Sequence, residues 1–177
     1  RIDKSILPNF GVFDEKRYFK SHMNNSKIFK FKNKKILFLI CEDFWNDNYL
    51  KEIADKDPNF IVVINASPYE KNKSQKRILR AKKIVNLFSV PIIYLNTVGT
   101  QDDLIFDGGS FFLSPDSKIL NNVEFFKEKN IKLYYPTSQN QKRFKQFKKN
   151  LVHETYEALV FSLRGYLKKN NFKSVIL

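Results

Sequence analysis

The chain has 177 residues, of which 42% are hydrophobic, which suits a folded domain with its own core. It carries 32 Lys and Arg against 18 Asp and Glu, which gives a net charge of +14. Its single cysteine excludes an internal disulfide framework and favours a reducing compartment, the cytoplasm. No apolar run approaches the ~18 residues that span a membrane, and no nucleic-acid-binding motif accompanies the positive charge, so we expect neither partner.

The first part of the chain contains few regular elements. Pro8 and Gly11 mark a loop, and Glu15 lies near the start of a short helix or turn. A lysine-rich surface connection follows, with a short edge strand within residues 28–31. Lys4, considered alone, is typical of a surface lysine whose stem lies along apolar neighbours.

An apolar run through residues 37–41 predicts a buried strand, and its last residue is Cys41, the only cysteine. A thiol at the carboxyl end of a strand, on the turn into a helix, lies where α/β sheets place their chemistry. A single free cysteine is also a common core residue. The role of Cys41 therefore depends on the rest of the chain.

Strands and helices then alternate. The predicted elements are, in order, a helix within 47–57, a strand at 60–65, a helix at 74–89 with an apolar inner face and a solvated basic outer face, and a strand at 90–96. This alternation indicates parallel strands joined by crossover helices. Cys41, Ser67 and Asn96 would then lie side by side at the carboxyl ends of neighbouring strands.

Beyond residue 99 the pattern changes to short antiparallel strands around two turns. The predicted features are turns at 107–109 and 114–117, further strand at 123–127 and 131–135, a polar linker at 136–140, one long helix or a broken pair within 144–169, and a buried strand at 172–177. Because the chain begins without methionine and ends in an unpaired strand, we expect it to be part of a longer protein.

Five segments, in order along the chain, resemble the nitrilase or carbon-nitrogen hydrolase superfamily and, within it, the glutamine-dependent NAD+ synthetase family. Residues 4–19 are similar to the lysine motif of the superfamily, and Ile-Cys-Glu-Asp-Phe-Trp at 40–45 is similar to its nucleophile motif. Residues 65–69 and 94–111 resemble the glutaminase domain of the synthetases, and 156–177 resemble the entry into their synthetase domain.

The resemblance implies an α/β fold, the C-terminal part of an α-β-β-α nitrilase-type sandwich, followed by a helical linker and the first strand of a second α/β domain. It divides the chain in two. Residues 1–136 would be a glutaminase domain whose N-terminal part lies outside the chain, and residues 137–177 would be the linker helix and the start of an ATP-dependent synthetase domain.

The resemblance also implies a Glu-Lys-Cys triad. Cys41 would attack the side-chain amide of glutamine, and Lys4 would stabilise the oxyanion that forms. The general-base glutamate of the family lies N-terminal to the lysine, outside this chain. Glu15 matches a second glutamate and would orient Lys4, although a surface acid beside two cations is the alternative. His22 and His153, in a polar connection and a helix, give little support to a Cys-His protease.

Four further residues, Phe10, Ser67, Lys73 and Glu42, fall at positions where the resemblance implies glutamine binding. Ser67 could equally be a turn residue, and a neighbouring cation could take the role of Lys73. We expect no metal-binding residue in the chain.

The implied activity is that of a glutamine-hydrolysing NAD+ synthase, in which released ammonia amidates deamido-NAD+ at an ATP-dependent site. ATP and Mg2+ would bind outside this chain, and we expect the chain alone to bind no cofactor and to be inactive. We expect the parent enzyme to be a homo-oligomer. A stand-alone nitrilase-type amidase remains an alternative, against which the tail argues, as does, more remotely, a basic nucleic-acid-binding module.

Overall fold

The computed structural model describes residues 1–22, 27–133 and 150–176. Six strands form one sheet in the order β1-β2-β3-β4-β7-β8, and β5 and β6 form a separate hairpin. The strands are β1 (Ile28–Phe31), β2 (Lys34–Ile40), β3 (Phe60–Asn65), β4 (Ile92–Asn96), β5 (Val98–Gln101), β6 (Leu104–Asp107), β7 (Phe111–Leu113) and β8 (Ile119–Asn122). The α-helices are α1 (Asp47–Glu52), α2 (Lys73–Phe88) and α3 (Leu151–Lys169), and short 3-10 helices lie at Glu15–Arg17, Cys41–Phe44 and Ala54–Lys56.

The three central strands β2, β3 and β4 are parallel, as the alternation of elements predicted. Ile40 pairs with Ile64, and Asn65 pairs with Asn96, so the three carboxyl ends lie next to one another. The predicted edge strand is present as β1, and it pairs antiparallel with β2. The sheet therefore gathers the loops after β2, β3 and β4 at one edge.

The hydrophobic core lies on one face of these strands. Alternate residues of β2, β3 and β4 are fully buried there, among them Leu37, Leu39, Val63 and Tyr94. Burying a side chain of this size contributes about 1.5–3 kcal/mol. This packing fixes the positions of the strands and therefore the positions of their carboxyl ends relative to one another.

The predicted outer face of α2 is partly wrong. Two cations, Arg77 and Arg80, are buried on the core side of the helix, whereas two apolar residues, Leu79 and Leu87, are exposed. The reason is that both guanidinium groups find partners, which offsets the cost of taking a cation out of water. Arg77 pairs with the buried Asp107. Arg80 pairs with the exposed Asp47 and donates to the carbonyl of Phe44. Apolar periodicity alone does not register such pairs.

Three further predictions differ from the structure. The predicted 47–57 helix is split into α1 and a 3-10 turn. Residues 123–127 and 131–133 form no strand beyond one isolated bridge at Phe125. The strand predicted at 172–177 is absent from 172–176, which are exposed and have no pairing strand within the described part of the chain. The linker at 136–140, the helix start at 144 and residues 134–135 lie outside the described residues.

The long helix α3 packs against the β5–β6 hairpin. A side chain at Gly165 would meet Thr100 at 2.0 Å, so glycine permits the close approach. Lys169 donates to the carbonyl of Thr100, and the rings of Phe126 and Phe161 lie 5.4 Å apart. Among the described residues, no helix has the length and hydropathy to cross a membrane.

Candidate active site

An open cleft of about 670 Å³ lies beside the carboxyl ends of β2 and β3. Its lining includes Lys4, Glu15 and Cys41, the three residues that the sequence singled out as catalytic candidates. Ala66, directly after β3, also lines it. The fold thus brings Lys4 and Cys41, which are 37 positions apart along the chain, to one cavity.

Cys41 occupies the turn between β2 and the 3-10 helix Cys41–Phe44. Its φ of +50° is in the left-handed region, where a non-glycine residue costs on the order of 1 kcal/mol or more. Such strain at the junction of a strand and a helix turns the chain sharply. It places the half-buried thiol on the cleft rather than in the core.

Burial raises the pKa of the Cys41 thiol above its ordinary value, and the ammonium of Lys4 opposes this effect. The carboxylates of Glu15 and Glu42 raise the pKa further, whereas a hydrogen bond from the backbone of Ala66 lowers it. At neutral pH the thiol is therefore largely protonated. Attack by its sulfur requires a base to remove the proton.

Lys4 and Glu15 form a tight ion pair. The Nζ atom of Lys4 lies 2.6 Å from each carboxylate oxygen of Glu15, and the side chains are only 15% and 24% exposed. Lys4 is therefore not a snorkelling surface lysine. Because both oxygens of Glu15 contact the ammonium, its geometry suits holding Lys4 in place.

The residues predicted to bind glutamine are placed unevenly. Phe10 is 59% exposed and does not line the cleft. Lys73, at the start of α2, lies 3.0 Å from a carboxylate oxygen of Glu70. Burial raises the pKa of Glu42, and Lys4 and Lys73 oppose the shift. Glu42 thus lies within the field of both lysines, near the cleft.

Ser67 is buried in a polar network behind the cleft. Its hydroxyl oxygen accepts hydrogen bonds from Arg77 at 3.1 and 3.3 Å, and its N–H donates to Asn96 Oδ1 at 2.9 Å. Its carbonyl accepts from Arg77 at 2.9 Å and from Asn96 at 3.2 Å. Its hydroxyl group also interacts with the buried hydroxyl of Tyr94, so the side chain of Ser67 is engaged on every side.

The same network contains a buried ion pair that sequence reasoning missed. Arg77 Nη1 lies 2.8 and 2.9 Å from the two carboxylate oxygens of Asp107, and both side chains are 1% exposed. A signal was present in the sequence, because Arg77 lies four residues before Ala81 and seven before Ile84, on the buried face of α2. This pair fixes the loop that follows β3.

His22 also lines the cleft, although its polar surroundings in the sequence gave no sign of this. The charges that act most on the thiol of Cys41 are nevertheless those of Lys4, Glu15 and Glu42. Within residues 1–22, 27–133 and 150–176, no group of three or more His, Cys, Asp or Glu side chains could hold a metal ion.

The sequence profile of the carbon-nitrogen hydrolase family matches residues 2–136, about three quarters of the chain. The chain belongs to the carbon-nitrogen hydrolase family. The resemblance drawn from the motifs is thereby confirmed. The match includes Lys4, Glu15 and Cys41, and it ends before α3.

Relatives of this carbon-nitrogen hydrolase extend over nearly the whole chain. The glutamine-dependent NAD(+) synthetase of Acinetobacter baylyi is 39% identical over 99% of the chain and 32% of that protein, and the enzyme of that name from Synechocystis is 37% identical over 98% and 34%. The chain thus spans about a third of the length of these curated relatives.

Solved structures of related proteins show the same similarity. The glutamine-dependent NAD+ synthetase of Acinetobacter baumannii, in complex with ADP, superposes with a TM-score of 0.86 at 34% identity, over 98% of this chain and 33% of that one. A carbon-nitrogen hydrolase from Helicobacter pylori shares the fold, with a TM-score of 0.62 at 19% identity, over 71% of this chain and 48% of that one. The mixed α/β, nitrilase-type fold predicted from the sequence is confirmed.

The Lys4→Met variant of this carbon-nitrogen hydrolase is expected to alkylate about tenfold more slowly at Cys41 with iodoacetamide at pH 7.5. Removing the ammonium leaves the Glu15 charge unopposed, which raises the thiol pKa further and moves the rate profile to higher pH. Mass spectrometry of the tryptic peptide 36–51 measures the rate. Lys20→Met, which removes another cation from the cleft lining, is expected to change it less than about twofold. An unchanged profile for Lys4→Met would contradict the assignment.

Proposed function

We propose that this chain is part of a glutamine-dependent NAD+ synthetase and that its cleft hydrolyses glutamine. The observation that carries the proposal is the convergence of Cys41, Lys4 and Glu15 on one cleft, in a chain whose relatives along nearly its whole length bear that name. The sulfur is half-buried, and the ammonium of Lys4 acts on it. This arrangement suits a nucleophile whose attack produces a tetrahedral intermediate with a negatively charged oxygen.

In the proposed reaction, the Cys41 sulfur attacks the side-chain amide carbon of glutamine while a base takes the thiol proton. Lys4 stabilises the negative oxygen of the tetrahedral intermediate. The C–N bond then breaks, the leaving nitrogen takes up the proton as ammonia, and a thioester remains. Water hydrolyses the thioester to glutamate and restores the thiol. We assign the primary base to a glutamate outside these residues, because both oxygens of Glu15 are engaged by Lys4.

For substrate binding, we propose that Lys73 pairs with the α-carboxylate of glutamine and Glu42 with its α-ammonium group. The support is electrostatic, since Glu42 lies in the field of both Lys4 and Lys73. Ser67 would act by holding the loop after β3 beside the cleft, because its hydroxyl group is engaged by Arg77 and Tyr94. Phe10 would contribute through its backbone, because its exposed side chain does not line the cleft.

The proposal extends to the whole protein. Residues 1–136 would belong to the glutaminase domain, an α-β-β-α sandwich, and 137–177 to a linker helix and the start of the synthetase domain. The family match, which ends at residue 136, supports this boundary. The second domain would use ATP and Mg2+ to amidate deamido-NAD+, in a homo-oligomeric enzyme of the cytoplasm, where a reactive thiol stays reduced.

A stand-alone amidase is less well supported. The Helicobacter pylori hydrolase structure covers 71% of this chain, whereas the Acinetobacter baumannii synthetase structure covers 98%. The difference favours a protein that continues through α3. A synthetase therefore accounts for more of the chain.

The decisive experiment incubates the full-length protein with a glutamine-analogue chloroketone and maps the label by mass spectrometry. We expect a single label on the tryptic peptide 36–51, protection by glutamine, and loss of glutamine-dependent but not ammonia-dependent NAD+ formation. No label at Cys41 would refute the proposed nucleophile. A label that leaves both activities intact, or hydrolysis of glutamine without NAD+ formation, would refute the synthetase.

A further inference from the structure

The segment that carries Lys4 has neither a helix nor a strand to fix it, because residues 1–14 form no regular element. A lysine acts on a thiolate only when its ammonium is held at a short distance, since the interaction weakens with separation and solvent exposure. Other contacts must therefore determine where the backbone of Lys4 lies relative to Cys41.

The carboxylate of Asp43 supplies these contacts. Its Oδ1 atom accepts hydrogen bonds from the backbone N–H of Ser5 at 2.9 Å and of Ile6 at 2.8 Å. Its Oδ2 atom accepts from the backbone N–H of Ile40 at 3.2 Å. One side chain thus joins the two residues that follow Lys4 to the residue that precedes Cys41.

This link is shielded from solvent and charged. The side chain of Asp43 is 0% exposed, and Lys27 Nζ, whose side chain is 1% exposed, lies 3.6 Å from Asp43 Oδ2. Hydrogen bonds to an ionised acceptor are about twice as strong as neutral ones. Burial lowers the pKa of Lys27, while Asp43 and, more weakly, Asp3 raise it. Lys27 is therefore the buried cation that lies within ion-pair distance of Asp43.

Asp43 does not belong to the lining of the cleft, so it acts through another residue. The neighbouring contacts agree with this role. Ser5 Oγ lies 3.3 Å from Tyr49 Oη, and the carbonyl oxygen of Ser5 accepts a hydrogen bond from the hydroxyl of Ser21. These bonds steady Ser5 but do not reach the turn at Cys41. Asp43, by contrast, connects both sides.

We propose that Asp43, with Lys27 as its buried counter-ion, is a positioning residue that holds Lys4 beside Cys41. The proposal deepens the proposed function, in which Lys4 and Cys41 are the reacting pair. It predicts that the effect of Asp43 on the thiol passes through Lys4 and vanishes when Lys4 is neutral.

The test is a double-mutant cycle in the full-length protein, read by iodoacetamide alkylation of Cys41 as a function of pH. Asp43→Asn weakens the link, and Asp43→Ala combined with Lys27→Met removes it without leaving a buried unpaired cation. We expect about three- to tenfold slower alkylation at pH 7.5, approaching the rate of Lys4→Met. In the Lys4→Met background we expect less than about a twofold further effect.

The other titratable groups that face the thiol are identical in every arm of this cycle. They are Arg1, Asp3, Glu15, Tyr18, Lys20 and His22 of the cleft lining, and Glu42. Three outcomes would overturn the proposal, because none of them fits a residue that acts through Lys4. They are an unchanged pH profile of alkylation, an equal slowing in the Lys4→Met background, and loss of the fold in both Asp43 variants. Alkylation needs no glutamine. A protein that shows this coupling but hydrolyses no glutamine would refute the proposed function and leave the positioning role intact.

Discussion

Replacing Cys41 by alanine is expected to lower glutamine-dependent NAD+ formation by the full-length enzyme at least about 10⁴-fold. Without the sulfur no thioester forms, and no other thiol is present in this chain to replace it. Ammonia supplied in solution bypasses the glutaminase, so ammonia-dependent formation should stay within about twofold of wild type. Glutamate release and NAD+ formation, measured in parallel, separate the two activities.

The matched control is His22→Ala, because His22 lines the same cleft and is the residue a Cys-His mechanism would require. We expect this variant to keep glutamine-dependent activity within about threefold, since the charges that act most on the thiol are those of Lys4, Glu15 and Glu42. A loss as large as that of Cys41→Ala would replace the proposed triad by a Cys-His pair. Retention of activity in Cys41→Ala would exclude Cys41 as the nucleophile.

Replacing Arg77 by methionine is expected to destabilise the sheet by about 3–5 kcal/mol, the usual cost of breaking a buried ion pair. The substitution leaves the buried charge of Asp107 without its guanidinium partner. It also removes the four hydrogen bonds that Nε and Nη2 of Arg77 donate to Ser67 and Pro68. Native-state hydrogen exchange, followed by mass spectrometry on peptides from β3 and β4, measures the opening free energy of this region in a protein of any length.

Lys76→Met provides the control, since this neighbouring cation makes an exposed ion pair with Glu70. Exposed pairs contribute about 0–1 kcal/mol, so little change is expected. Arg77→Lys should fall between the two variants, because lysine keeps the charge but not the planar fork that reaches Ser67 and Asp107 together. An Arg77→Met variant within about 1 kcal/mol of wild type would show that the pair does not stabilise the sheet.

Much of the framework could be predicted from the sequence. Apolar runs and helical spacing predicted β2, β3, β4 and α2 close to their observed bounds, because these patterns arise from local periodicity. The same patterns placed Cys41 at the carboxyl end of a strand, next to the loops after β3 and β4. The motifs around Lys4 and Cys41 identified the family, which the comparison confirmed. The catalytic and binding roles of individual residues remain predictions.

The errors have a common cause. A strand at 172–177 was predicted from its apolar residues, but strand formation also requires a partner for the backbone, and the described residues offer none. The solvated basic face predicted for α2 assumed that its cations, Arg77 and Arg80 among them, face solvent. Their partners Asp107 and Asp47 lie about 30 residues away in the chain, beyond the reach of helical periodicity.

The sequence by itself therefore determined the order of the elements, the position of the single thiol and the residue types available to it. Only the tertiary structure decided that Lys4 contacts Glu15 and shares a cleft with Cys41, that Ser67 faces a buried network, and that Asp43 joins the two segments. The physical reason is distance along the chain. Local patterns follow from neighbouring residues, whereas the burial and pairing of a charge depend on groups that only folding brings within a few ångströms.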